Sequence, residues 1–266
     1  NPYLLKGVAL ATSVYPNAGL RPMHDLDIWL PAEQAAQAAD WLTTQGWSWQ
    51  PHPWAPGKAN FEVWSGFNLE GPNQLPIDLH GHILNERCLP SVTRRLTARP
   101  RLLESWGCAT LGPSEQLLHV LVHGLHSGES NLRWWADAHF LIHHPQWAPD
   151  WNQLAILARE FRLSWTVATA LRCLEEQLQT PVPVGLAGDL EKQADGLEKL
   201  EFRRRIQRLG KLGALPQHGL RYLVLSRLQG RWANPLGGLD YLRQLWGLEG
   251  YAAFPGLLYR HLRGSG

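Results

Sequence analysis

Asp25-Leu26-Asp27-Ile28-Trp29-Leu30 is the stretch whose reading decides the first part of the chain. Leu26, Ile28 and Leu30 alternate with Asp25, Asp27 and Trp29, and this period of two predicts a strand. The two aspartates then share one face and the aliphatics the other, with the aspartates about 6–7 Å apart at their bases. That spacing suits a hard divalent cation, which prefers carboxylate oxygens and keeps coordination positions for substrate oxygens. Ile77-Asp78-Leu79-His80 repeats the pattern of an acid between aliphatics, so Asp78 is a third candidate from a second strand. Three aspartates converging from two strands repel one another, and a cation relieves the repulsion. Asp25, Asp27 and Asp78 are therefore the candidate metal ligands and catalytic acids of a two-metal centre. One ion would activate an attacking oxygen and the other would stabilise the leaving group.

Upstream, Tyr3-Leu4-Leu5 reads as an apolar strand that ends at Lys6-Gly7, and Val8 to Tyr15 has the composition of a helix broken at Asn17-Ala18-Gly19. A glycine at a strand-to-helix turn lets the backbone approach a phosphate, and the helix N-terminus favours an anion there. Lys6, Gly7 and Arg21 are the candidate phosphate-binding residues, Arg21 through a bidentate fork. His80 has two readings, a substrate contact or a polar residue at a strand end.

Working outward, Ala32 to Gln45 is an Ala-rich helix closed by Gly46. Trp47–Trp49, Phe61–Trp64, Phe67–Leu69 and Ile77–His80 read as strands with Gly and Pro turns between them. From Pro113 the pattern becomes helical, with Leu117, Leu118, Leu121, Val122 and Leu125 at helical spacing. Further helices are predicted at 131–144, 151–160, 163–178, 189–209 and 217–229, with Thr180-Pro181-Val182-Pro183 as a linker. The expected fold is α+β. A small mixed β-sheet domain with helices over 1–108 carries the site, and a mostly helical domain over 109–266 forms one wall of the cleft. The last stretch, rich in Gly, Trp and Tyr, gives no clear pattern.

Composition narrows the class. Of 266 residues 44% are hydrophobic and 18% charged, which argues against disorder and against a charged coiled coil. Net charge is +2, so no global basic field marks a general nucleic-acid binder. Cys88, Cys108 and Cys173 are odd in number and far apart, which fits reduced thiols. No apolar run reaches the roughly 18 residues of a membrane span, and no signal peptide is visible, so the cytoplasm is the expected compartment.

Three other groups carry possible chemistry. His119, His123 and His126 share one helical face, a pattern open to zinc binding with Asp137 or His139, to lining of a substrate pocket, or to packing. Arg133 and Asp137, four apart, form either an ordinary helical ion pair or a site where Arg133 reaches a phosphate across the cleft. His80, His123, His126 and Arg133 are the candidates for the acceptor side. Arg203-Arg204-Arg205 with Arg208 and Lys211 is read as a solvated helix face, with RNA or peptide docking as the alternative.

The run Leu5-Lys6-Gly7, Tyr15-Pro16 and Gly19-Leu20-Arg21-Pro22-Met23 followed by Asp25 and Asp27 resembles an uncharacterised nucleotidyltransferase family. That family is a branch of the DNA polymerase β-like nucleotidyltransferase superfamily. Ile77–His80 looks like its third-acid strand, and Ser114-Glu115 through His119, His123, His126, Arg133, Trp134 and Asp137 like its helical segment. The resemblance covers roughly residues 3–180. Gly7-Val8 stands where the superfamily usually has Gly-Ser or Gly-Gly, which leaves Lys6 to compensate for the missing hydroxyl. The resemblance implies Mg²⁺, two ions, and a nucleoside triphosphate whose nucleoside monophosphate passes to an acceptor with release of pyrophosphate. It names no acceptor: a small molecule, a peptide or protein, and RNA all stay open. A phosphotransferase on the same scaffold and a catalytically silent accessory module of a peptide-modifying or toxin–antitoxin system are the rival readings.

Overall fold

Strand β1 (Tyr3–Leu4) pairs antiparallel with β2 (Leu26–Trp29), Tyr3 opposite Trp29 and Leu4 opposite Ile28. On the far side of β2 lies β5 (Pro76–His80), parallel to it, and next to that antiparallel β4 (Gly66–Glu70) and β3 (Ser48–Trp49). On the other side β1 runs parallel to β7 (Cys108–Thr110), which pairs with β6 (Arg101–Leu103). The result is one mixed seven-stranded sheet in the order β3-β4-β5-β2-β1-β7-β6. The computed structural model describes residues 2–50, 60–72, 74–127, 132–206 and 214–256.

Helix α1 (Lys6–Ser13) follows β1 and α2 (Ala32–Thr44) follows β2; α3 (Pro90–Leu96) precedes the last hairpin. The helical part begins with α4 (Pro113–Ser127) and α5 (Arg133–His143). It continues through α6 (Trp151–Glu160), α7 (Ser164–Leu178), α8 (Leu186–Gln193), α9 (Gly196–Ile206), α10 (Ala214–Leu228) and α11 (Pro235–Leu245). The α+β architecture expected from the sequence is the one observed. The sheet runs past residue 108, because β7 continues to Thr110.

Apolar burial explains how the layers sit. Phe67 and Leu69 on β4, with Leu79 on β5, pack on Ala35 and Ala39 of α2, one helical turn apart, and on Leu245, Trp246 and Leu248 at the end of α11. The C-terminal segment thus returns to the sheet, and Trp64 donates its indole N–H to the Leu245 carbonyl at 2.7 Å. A second core joins Leu5, Leu10 and Val14 to Leu117, Leu118 and Leu121 of α4 and on through α5, α6 and α7. Because side chains alternate along a strand, the aliphatics of β5 face α2 while Asp78 and His80 face the opposite way.

Several local expectations change. Phe61–Trp64 is a turn, not a strand: the Asn60 carbonyl accepts the Trp64 amide at 3.1 Å and its side chain accepts the Glu62 amide at 3.0 Å, competing with a ladder. The helix expected over 189–209 is two helices. The Asp195 side chain accepts the Glu198 amide at 2.9 Å and so starts α9 anew. Asp25 lies in a bend before β2 and not in the strand. The three cysteines carry no disulfide. Among the described residues no helix is long and apolar enough to cross a membrane.

Candidate active site

The parallel register of β2 and β5 sets Asp27 directly beside Asp78, and Trp29 beside His80. Asp78 and His80, two apart, project from the same face. Across the ladder, Gly66 of β4 is opposite His80. A Cβ at Gly66 would stand 2.8 Å from Asp78 Oδ1 and 2.9 Å from His80 Nδ1, so the acid–imidazole pair needs a glycine there. From the other side, the Leu5 amide donates to the Asp27 carbonyl at 3.0 Å and delivers the next residue, Lys6, to the cluster. Lys6 has φ +32°, a left-handed backbone rarely adopted by a non-glycine residue and a form of strain concentrated at functional sites. Its Nζ lies 3.0 Å from Asp27 Oδ1.

His80 Nε2 bridges the acids, 3.1 Å from Asp27 Oδ1 and 3.1 Å from Asp78 Oδ2. Burial pushes the Asp27 carboxyl up, but the Lys6 ammonium and His80 outweigh it and hold the group well below the usual carboxylate range. Asp78 is likewise raised by burial, and the charge and hydrogen bond of His80 together with Lys6 outweigh that and lower it. His80, which burial alone would push down, is brought up to about 9 by the two carboxylates. Asp25 is shifted the other way: partial burial and the Asp27 charge both raise it, Lys6 compensating only in part. The cluster therefore holds one carboxylate more than its own cations accommodate comfortably.

Donor atoms of Asp27, Asp78 and His80 all lie within 4.8 Å of one another. Two carboxylates and an imidazole fit a divalent cation by their chemistry, and the buried His80 Nδ1 without a hydrogen-bond partner marks a polar site with capacity left over. Asp25 stands outside this trio but lines the same cavity, of about 150 Å³, with Asp27 and Asp78. Lys6, Arg21, His123 and Arg133 line it too, so α4 and α5 contribute one wall.

Arg21 is placed differently from the expectation of a fork aimed at phosphate. Its Nε and Nη2 donate to the two oxygens of Asp137 at 3.0 and 2.9 Å, and Tyr15 donates its hydroxyl to Asp137 Oδ1 at 2.7 Å. Asp137 is thereby tied to the loop before β2. Tyr15 is raised above its ordinary pKa by burial and by Asp137. Gly7 serves a close approach of that same loop: a Cβ would meet Met23 Sδ at 3.3 Å and Arg21 Nη1 at 3.4 Å. The Tyr15–Asp137–Arg21 clasp is the feature that spacing along the chain could not reveal.

Of the histidine helix, His119 is buried and kept neutral mainly by that burial, and His123 reaches the cavity wall. His126 is on α4, but its side chain lies outside the described residues. In the basic run, Arg203 and Arg204 are exposed, whereas Arg205 turns inward to Glu86 at 3.4 Å and Glu201 at 3.7 Å. The solvated face is thus only part of that run, and Arg208 and Lys211 lie outside the described residues.

Carboxylates side by side on neighbouring strands, a basic strand-to-helix turn and a cation-lined cavity are the parts that phosphoryl- and nucleotidyl-transfer centres use. Residues 1–179 match an uncharacterised nucleotidyltransferase family, and the chain belongs to that family. No curated protein and no solved structure matches the chain.

Proposed function

We propose that the protein transfers a nucleoside monophosphate from a nucleoside triphosphate to an acceptor and releases pyrophosphate. The observation that carries this reading is the register pair Asp27–Asp78, with His80 in mutual reach, beside a cavity that also gathers Lys6, Arg21 and Arg133. Asp25, Asp27 and Asp78 would hold two Mg²⁺ ions. Bound magnesium would neutralise phosphate charge and favour both attack and departure of the leaving oxygen.

The chain's own residues do the rest. Lys6 neutralises Asp27 in the cation-free protein and turns to the phosphates when a cation takes its place. Arg133 supports the triphosphate from α5, and Gly7 lets the loop that carries Arg21 pack closely against α1. Arg21 adds charge at the wall while its clasp on Asp137 fixes α5, with the helical part from α4 onward, as one side of the cleft. An acceptor oxygen or nitrogen forms a bond to the α-phosphorus, the bond from that phosphorus to the bridging oxygen breaks, and pyrophosphate carries off the electron pair. The acceptor's proton passes to Asp78.

Transfer from α-labelled nucleoside triphosphate tests the reading. Asp25→Asn combined with Asp27→Asn is expected to abolish Mg²⁺-dependent transfer with the fold intact by circular dichroism. Undiminished transfer in that double variant contradicts the proposal, and label moving from the γ position would mean phosphoryl transfer instead.

A further inference from the structure

Asp25, the acid that the sequence places beside Asp27, is not among the donors that converge. Asp27 and Asp78 meet His80 instead, their donor atoms all within 4.8 Å of one another. Register explains the exchange. Asp27 and Asp78 are partners on the β2–β5 ladder and His80 follows Asp78 by two on the same strand face, whereas Asp25 lies in the bend before β2. His80 Nε2 stands 3.1 Å from Asp27 Oδ1 and 3.1 Å from Asp78 Oδ2. Neighbouring ligands in an octahedron with bonds of about 2.2 Å have about the same spacing.

The imidazole is held in this place. The His80 carbonyl accepts the Leu30 amide at 3.0 Å, and Gly66 lies against the other edge of the ring, where a Cβ would stand 2.9 Å from Nδ1. Asp27 Oδ1 also takes Lys6 Nζ at 3.0 Å, so two basic groups of the chain already gather at the oxygen a cation would use. Asp78 opens the cluster to the outside: it lines the cavity of about 150 Å³ with Asp27, and a second one, of about 190 Å³, with His80. The donor set selects among ions. Mg²⁺ prefers an all-oxygen shell with several waters, whereas imidazole is a ligand of transition ions, and no thiol joins the cluster among the described residues to favour a soft one.

We propose that His80 is a metal ligand and that the ion at Asp27, Asp78 and His80 is a divalent first-row transition ion held in preference to Mg²⁺, which leaves Asp25 to the second ion. This rests on the nucleotidyl-transfer reading above for the second ion and the triphosphate, while the ligation itself needs neither. His80 binds through Nε2 as the neutral imidazole, so its proton goes to solvent and Lys6 leaves Asp27 as the ion arrives.

The test uses the full chain stripped of metal, with Mn²⁺ as the probe and no triphosphate. Electron spin echo envelope modulation of the bound Mn²⁺ is expected to show the nitrogen of a directly coordinated imidazole, a pattern that changes when the protein is made with isotopically labelled histidine. His80→Gln should abolish that pattern. It should also lower the ratio of Mn²⁺ to Mg²⁺ affinity, read by displacement, by about tenfold or more, the least that removing a supporting partner of a ligand costs. Asp25→Asn should keep the pattern at saturating Mn²⁺. Bound Mn²⁺ without imidazole nitrogen in the wild type overturns the assignment, whether or not His80→Gln folds. A pattern or an affinity ratio unchanged in His80→Gln, or a pattern lost in Asp25→Asn, overturns it too. Each of these results leaves nucleotidyl transfer standing. Absence of any Mn²⁺ binding by the wild type overturns the metal-dependent reading as well.

Discussion

Arg87 and Asp27 are both buried charges with several partners, and the way each is finished separates structure from site. Arg87 is fully buried and uses every N–H it has: Nε on the Phe161 carbonyl, Nη1 on the Glu86 carbonyl and Glu201 Oε1, Nη2 on the Arg162 carbonyl and Glu201 Oε2, all at 2.8–2.9 Å. Arg205 adds a second cation against Glu86 and Glu201. Around Asp27 the accounts stay open: His80 Nδ1 has no partner, Asp25 is repelled by its neighbour, and two cavities touch the cluster. A closed charge group ties β5's following loop to the turn between α6 and α7 and to α9. An open one is a place for something else to bind.

The comparison breaks most visibly in activity. Asp27→Asn should lower nucleotidyl transfer by about a hundred- to a thousandfold, the scale for losing one key electrostatic group, as measured by pyrophosphate release. Glu201→Gln should instead leave transfer by the folded protein unchanged and destabilise it by about 3–5 kcal/mol in urea denaturation, because Arg87 remains buried without its countercharge. Equal effects of the two variants on activity would erase the distinction.

Acid sharpens it further. Burial raises Glu201, but Arg87 and Arg205 outweigh this and hold its folded-state pKa below the ordinary 4.5. A lowered carboxylate contributes stability that is present above pH 4.5 and is lost as pH falls through the folded value. Urea midpoints should therefore drop more steeply below pH 4.5 in the wild type than in Glu201→Gln. The smallest effect belongs to Asp25→Asn, which removes a repelled, solvent-screened charge. It should stabilise the cation-free protein by about a few tenths of a kcal/mol while weakening cation binding. A loss of stability there would mean that Asp25 is not repelled.

Much of this was legible from apolar periodicity. β2, α2 and α4 announce themselves because each buries one regularly spaced face, and the acids of β2 and β5 stand out as charges between aliphatics. Register was not legible: that Asp27 meets Asp78, and that Gly66 makes room for His80, depends on how strands distant in sequence align. His80 had two readings for the same reason. Tyr15 and Arg21 find Asp137 across 122 and 116 positions, beyond any local rule. The inward turn of Arg205 is invisible in a run of like charges, since its partner Glu86 comes from another element. The return of Leu245, Trp246 and Leu248 to the sheet has no periodic signal, because so short a segment buries whatever is apolar.

The most direct test of the central claim is equilibrium binding of Mn²⁺, a paramagnetic stand-in for magnesium, followed by electron paramagnetic resonance on the wild type, Asp27→Asn and Glu201→Gln. Saturable binding in the wild type and in Glu201→Gln, lost in Asp27→Asn, is the predicted result. Binding that survives Asp27→Asn undiminished, or no binding by the wild type, would contradict the account.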